Sequence, residues 1–258
     1  MIARYKEKIL NQSLAVRTNV LPAVRAVVDT IKPDYDSVTP YKTDIIKWLE
    51  PIIDLQGYNV YPMNGITQGL DWWYDKEERG VEITPGDYQW IKPTDRHSNI
   101  VYMSVPSAID GNFRNLPTDV PIALDLAYVG STKIQHICNL GNIEYVFFSL
   151  SKAFGLRNVR TGWLFTKTPD KKLEDLINSA KYYNYYAHNV GETVISNFDI
   201  DYVHNSLYSK QSNICSKLDL VPSDSVWIAT TENNEYAKFM RNGKTARICL
   251  AGVYNEEI

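Results

Sequence analysis

The strongest constraint on this chain is a series of short runs that are apolar at consecutive rather than alternate positions: VEI, NIVYMSV, PIALDLAY, YVFFSLS and TGWLFTK. A strand with one face in water alternates apolar and polar residues, so runs this uniform predict strands covered on both sides. Covering both faces takes helices, and the expected class is α/β with a mostly parallel sheet flanked by helices. Several intervals between the runs are too short for long helices, which predicts a mixed sheet with thin layers. With 258 residues, 44% of them hydrophobic, the chain can bury one or two such cores.

The flanking segments extend this outline. Ile9, Leu14, Val16, Val20, Val24 and Val27 fall on one broad face and predict a helix from the start to about Ile31. Pro33 and Pro40 bracket a non-helical link, after which Thr43 or Asp44 caps a short helix ending near Leu49. VYPM predicts a further strand, and residues 67–78 a helix that opens just after Asn64-Gly65. Beyond Pro169, DKKLEDLINSAKYYNYY and much of 190–217 predict helices, followed by the strand VWIATT, a helix over NEYAKFMR and the strand ARICLAG. The expected division is a large domain over 42–167, with 1–41 and 168–258 forming a small α+β domain.

A net charge of −3 without a basic stripe argues against nucleic-acid or anionic-membrane partners. The N-terminal stretch scatters charges and reads as neither signal peptide nor anchor, and no apolar run is long enough to span a bilayer. Cys138, Cys215 and Cys249 are odd in number and far apart, which predicts buried free thiols in a reducing, cytoplasmic setting.

The chemistry concentrates at the ends of two apolar runs. Asp125 closes one of them, with Tyr128 three residues on; a buried carboxylate is costly without a partner. Ser149, Ser151 and Lys152 close the next, and Arg160 follows eight residues later. Lysine is rarely buried, so one at the tip of such a strand points to function. A lysine amine can condense with an aldehyde, a carboxylate can keep a ring nitrogen protonated, and hydroxyls with an arginine can hold a phosphate.

DLAYVGST and SLSKAFGLRNVRTGW resemble the two hallmark segments of the class I/II aminotransferases, the fold-type I pyridoxal phosphate enzymes. The resemblance covers roughly residues 58–253, in a chain shorter than most of the family. It implies that Lys152 forms the Schiff base (the internal aldimine), that Asp125 pairs with the pyridine nitrogen and that Tyr128 bonds the phenolic oxygen. Ser149, Arg160 and, less directly, Ser151 would hold the phosphate. MNGITQGLDWW resembles the turn whose amides, here those of Ile66, Thr67 and Gln68, receive the phosphate at a helix start. ARICLAG resembles the segment whose arginine, here Arg247, grips the substrate α-carboxylate.

Other parts of the pattern are altered. Tyr88 and Trp90 are candidates for the aromatic stacked on the cofactor ring, and Val105 stands before Pro106 where the family has an asparagine. The family's homodimeric site implies a tyrosine given to the partner's phosphate, here Tyr35 or Tyr41. Tyr182, Tyr183, Tyr185 and Tyr186 either shape a partner's substrate pocket or pack a helix. The lack of an arginine among them argues against a second grip for a dicarboxylate, and the aromatic flanks hint at a neutral or aromatic substrate. The implied activity is transfer of an amino group between an α-amino acid and an α-keto acid. The alternatives are another reaction at the amino-acid Cα (β-elimination, decarboxylation or racemisation) or a non-catalytic pyridoxal phosphate-binding protein.

Overall fold

The apolar runs and VYPM pair into one six-stranded sheet. In the computed structural model, which describes residues 2–33, 41–97, 99–139, 141–241 and 243–254, its strands are β1 (Asn59–Asn64), β2 (Gly80–Ile83), β3 (Asn99–Ser104), β4 (Ile122–Asp125), β5 (Ile143–Ser149) and β6 (Thr161–Thr166). They lie in the order β1-β6-β5-β4-β3-β2. β2 to β5 pair parallel, and β6 runs against both of its neighbours. The sheet is therefore mixed and mostly parallel, as the runs predict.

Both faces are covered, which is why the runs do not alternate. β4 and β6 are buried at every position. α4 (Ile66–Tyr74) lies on the face carrying Met63, Phe147 and Leu164: a Cβ added at Gly69 would stand 3.2 Å from Phe147 and 3.7 Å from Leu164. α7 (Tyr185–Asn197) covers the opposite face, where Gly191 lies so close that a Cβ would come within 2.5 Å of Thr161. The alternation of side chains along β6 sends Trp163 to α7 and Leu164 to α4.

The N-terminal region departs from the single helix that its apolar spacing predicts. It forms α1 (Ile2–Asn11) and α2 (Pro22–Val28), with residues 12–21 running between them without helix. Pro22 takes the first helical position, and Leu21 before it is held extended at φ −66°, ψ 148°. A proline ring disfavours helical geometry in the residue preceding it. α1 packs on α8 (Tyr202–Leu218) and on α9 (Ala251–Tyr254), and α2 packs on α7. Residues 34–40 of the link lie outside the described residues. α3 (Ile45–Leu49) follows, with the Thr43 hydroxyl accepting from the Ile45 amide at 3.2 Å.

After β6 the chain is less regular than its periodicity predicts. α6 (Lys171–Glu174) passes into a π-helical turn over Asp175–Ser179, and the helix stops before the four tyrosines, where Lys181 turns left-handed at φ 53°. The helix expected over 67–78 ends earlier, at Tyr74, and NEYAKFMR forms a 3-10 helix over Asn234–Phe239 instead of an α-helix. A separate antiparallel sheet joins β7 (Val221–Pro222), β8 (Ile228–Thr231) and β9 (Ala246–Cys249). Gln211 of α8 ties itself to this sheet by donating to the carbonyls of Ser223, Ser225 and Ile228 at 2.9–3.0 Å. Cys215 and Cys249 are buried free thiols as expected, whereas Cys138 is exposed, on a loop that the sheet does not cover. Among the described residues, no helix is long and apolar enough to cross a membrane.

Candidate functional site

Three adjacent parallel strands end in a polar residue at the same edge of the sheet: Ser104 on β3, Asp125 on β4 and Ser149 on β5. Ser104 and Asp125 are register partners. Side chains at the carboxyl ends of parallel strands converge because the chain must leave the sheet there and cross back. They line a cavity of about 120 Å³, together with Ile66 and Thr67 of α4 and with Tyr88, Tyr128, Ser151, Lys152 and Arg160. Nine of the positions singled out in the sequence thus meet in one space, although 94 residues separate the first from the last.

Lys152 sits on α5 (Leu150–Ala153), the single turn that follows β5. Its Nζ donates to the Tyr128 hydroxyl at 3.2 Å and stands 4.5 Å from the centre of the Tyr128 ring and 5.5 Å from that of Tyr88. Asp125 is buried, and its carboxylate accepts from the Tyr102 hydroxyl and from the Ala127 amide, both at 2.7 Å. Burial raises its pKa to about 6, against the opposing pull of Lys152 and of those two donors.

Tyr102 is a member of the site that its sequence context concealed, as one more aromatic in an apolar strand. A buried tyrosine hydroxyl needs a partner, and that rule is the signal that singles it out. Asp87 and Arg114 also escaped notice. Asp87 is buried, accepts from the Ser104 hydroxyl and amide, and pairs with Arg114, whose Nε donates to the Ser104 carbonyl at 2.9 Å.

At the other end of the cavity, α4 begins with amides that have no partner in the helix. Gly65 caps it at φ 77°, and a Cβ there would lie 2.7 Å from Nη2 of Arg160. Gly162 allows β6 to pass equally close, since its Cβ would stand 2.8 Å from the Gly65 Cα. Arg160, itself left-handed at φ 66°, donates to the Asn64 carbonyl at 2.9 Å. The Ser151 hydroxyl is buried without a hydrogen-bond partner. Such a group is costly unless a ligand satisfies it.

Other expected positions lie elsewhere. Gln68 turns its side chain back to accept from the Asn64 amide at 2.6 Å and faces a different cavity. Arg247 does not line the Lys152 cavity; it is buried on β9, donating to the carbonyls of Ala108, a lining residue, and of Leu14. Trp90 is 54% exposed and bonds Asp71, so the aromatic at the lysine is Tyr88. Val105 is fully buried, and the Val105–Pro106 bond is cis. Tyr35 lies outside the described residues, and Tyr41 packs on Tyr183 and His188. Tyr182, Tyr183 and Tyr185 line a second cavity of about 510 Å³ with Trp72, Trp163 and His188; Tyr186 does not. Among the described residues, no cluster of three or more histidine, cysteine or acidic side chains is placed to hold a metal.

No protein-family model matches this chain, and no curated protein matches it in sequence. Solved structures do. Histidinol-phosphate aminotransferase from Sinorhizobium meliloti, in complex with pyridoxal-5'-phosphate, is 14% identical with a TM-score of 0.59, over 91% of this chain and 84% of that one. Aminotransferase AspB from Helicobacter pylori is 12% identical with a TM-score of 0.59, over 99% and 98%. The PLP-bound C-S lyase from Staphylococcus hominis is 12% identical with a TM-score of 0.60, over 97% and 85%. At these identities the likeness is one of fold: the chain has the α/β fold of the class I/II aminotransferases.

Proposed function

We propose that this chain is a pyridoxal phosphate-dependent enzyme acting at the Cα of amino acids, and an aminotransferase in particular. The observation that carries the reading is the meeting of Lys152, Tyr128 and Asp125 in one cavity that is also lined by phosphate donors. The partnerless Ser151 hydroxyl supports the fit, as do the free amides at the start of α4. When bound, pyridoxal phosphate supplies an aldehyde that captures amines and a pyridine ring that draws electrons from the Cα bonds.

The residues then divide the work. The amides of Ile66 and Thr67, with Ser149, Ser151 and Arg160, would hold the phosphate; the Gln68 amide, one position further along α4, completes the expected set. Tyr88 would cover the ring. Asp125 would keep a proton on the ring nitrogen, and the Tyr102 and Ala127 donors hold its carboxylate in place. Tyr128 would bond the phenolic oxygen and keep the Lys152 amine close. Lys152 would act as the base that takes the proton from the substrate Cα and then as the acid that gives it back from the same side. Arg247 would take the α-carboxylate with its fork, in place of the carbonyls of Leu14 and Ala108.

The same reading makes residues 42–167 the cofactor-binding domain and residues 1–41 with 168–258 the small domain. It also makes the enzyme a cytoplasmic homodimer. The comparisons include C-S lyases, so elimination is the competing outcome. The deciding experiment is a single turnover: cofactor-loaded protein is mixed with an amino acid and no acceptor. One keto acid formed per bound cofactor, without ammonia, is the expected result. Continuous release of ammonia and a keto acid would replace transamination by elimination.

A further inference from the structure

Arg241 and Arg247 lie side by side against residues 12–21, the segment between α1 and α2. Nη2 of Arg247 donates to the Leu14 carbonyl at 3.0 Å, and Nη2 of Arg241 donates to the same oxygen at 3.2 Å. Two donors on one oxygen are separated by no more than about 6 Å. Among the described residues, neither guanidinium has a carboxylate partner. Arg247 is only 6% exposed, and its Nε has no hydrogen-bond partner at all. Arg241 is half-buried, and burial together with the charge of Arg247 pushes its pKa down. Two like charges this close, largely out of water and with no anion, are an unfavourable arrangement that an anionic ligand would relieve.

The pair borders the Lys152 cavity. Arg247 reaches the Ala108 carbonyl, and Ala108 lines that cavity. The Arg241 backbone packs on Gly86, where a Cβ would come within 2.8 Å of the Arg241 carbonyl, and Gly86 is two residues from Tyr88. The contrast with Arg114 is informative: that arginine, which donates to the carbonyl of the lining residue Ser104, is neutralised by Asp87.

We propose that Arg241 and Arg247 together select a dicarboxylic substrate, an acidic amino acid with its matching diacid keto acid, whose second carboxylate is held by Arg241. The inference rests on the reading of the Lys152 cavity as a pyridoxal phosphate site. It places the second grip within the same chain, six residues before Arg247, and not among the tyrosines of 182–186. The backbone carbonyl of Leu14 accepts from both guanidinium groups, and that of Ala108 from Arg247 as well; the two carboxylates of the substrate take their place.

The test is calorimetric titration of the cofactor-loaded protein with unreactive acids: succinate and glutarate against butyrate, with glycerol 3-phosphate as a further arm. The diacids should bind more tightly than butyrate. In Arg241→Met that advantage should shrink by roughly 10- to 100-fold, the loss expected for a charge-assisted pair; Arg241→Lys should keep part of it. Retention of the cofactor absorbance band by both variants checks that they are folded. Equal affinity for diacid and monoacid, or an advantage unchanged in Arg241→Met, would overturn the inference while leaving the cofactor reading intact. Stronger binding of the phosphomonoester would overturn the dicarboxylate assignment. A wild-type protein that takes up no cofactor would remove the underlying reading, and this one with it.

Discussion

The two ends of the parallel strands treat charge in opposite ways. At the amino ends of β2 and β5, Arg79 binds Glu77 and Glu144 through four hydrogen bonds of 2.7–3.1 Å, and Arg96 donates to the Glu77 carbonyl. Arg79 there pairs with both carboxylates at once. At the carboxyl ends of β3, β4 and β5, a buried carboxylate, a lysine and a serine hydroxyl meet with fewer partners than they can use. The first arrangement stabilises the sheet. The second costs stability, and an unrelieved cost at the point where strands release the chain is what the proposed ligand site would require. Substitutions at the two ends should therefore have opposite signatures.

The largest effect is expected from Lys152→Ala. Reconstitution with pyridoxal phosphate should then give no covalent absorbance band, and a band that persists would remove the basis of the proposed function. Asp125→Asn should follow, with a sign that depends on pH. The wild-type carboxyl has its pKa raised to about 6, so its contribution to stability is present below the ordinary value near 4 and is lost as pH rises through 6. The cofactor-free Asn variant, neutral throughout, should gain up to about 3 kcal/mol over wild type above pH 6. Near pH 4 the gain should vanish; urea denaturation across that range measures it. A destabilised variant at pH 8 would mean that Asp125 is better satisfied than its burial implies.

Arg79→Met should act in the opposite direction, since it leaves the buried Glu77 without its partner. A loss of about 2 kcal/mol is expected, reduced from the fully buried case because Arg79 is partly exposed. The affinity for cofactor should be unchanged; a large fall in it would show that the two ends are coupled. The smallest effect is that of Tyr102→Phe, which removes one donor from Asp125. It should cost about 1 kcal/mol at pH 8, where Asp125 is ionised, and less at pH 4.

Much of this organisation was legible in the chain because it depends on local rules. Consecutive apolar residues announced strands covered on both sides, and the strand ends announced Asp125, Ser149 and Lys152. Helix limits were less legible. Pro22 outweighed an apolar stripe that would otherwise have carried one helix through residues 12–21. Tyr182 and Tyr183 fell outside any helix, and α7 starts only at Tyr185, once the π-turn had ended the preceding helix. Tyr102 and Asp87 gave no local sign, because what distinguishes them is a partner 23 or 27 residues away.

The sequence alone determined the sheet's character, the lysine and its acidic and phenolic neighbours, since burial and strand ends are properties of short segments. The tertiary structure decided how those groups share one cavity, that Tyr88 and not Trp90 stands over the lysine, and that Arg241 joins Arg247 on one carbonyl oxygen. Those outcomes depend on distances across the chain, and only packing against the sheet fixes them.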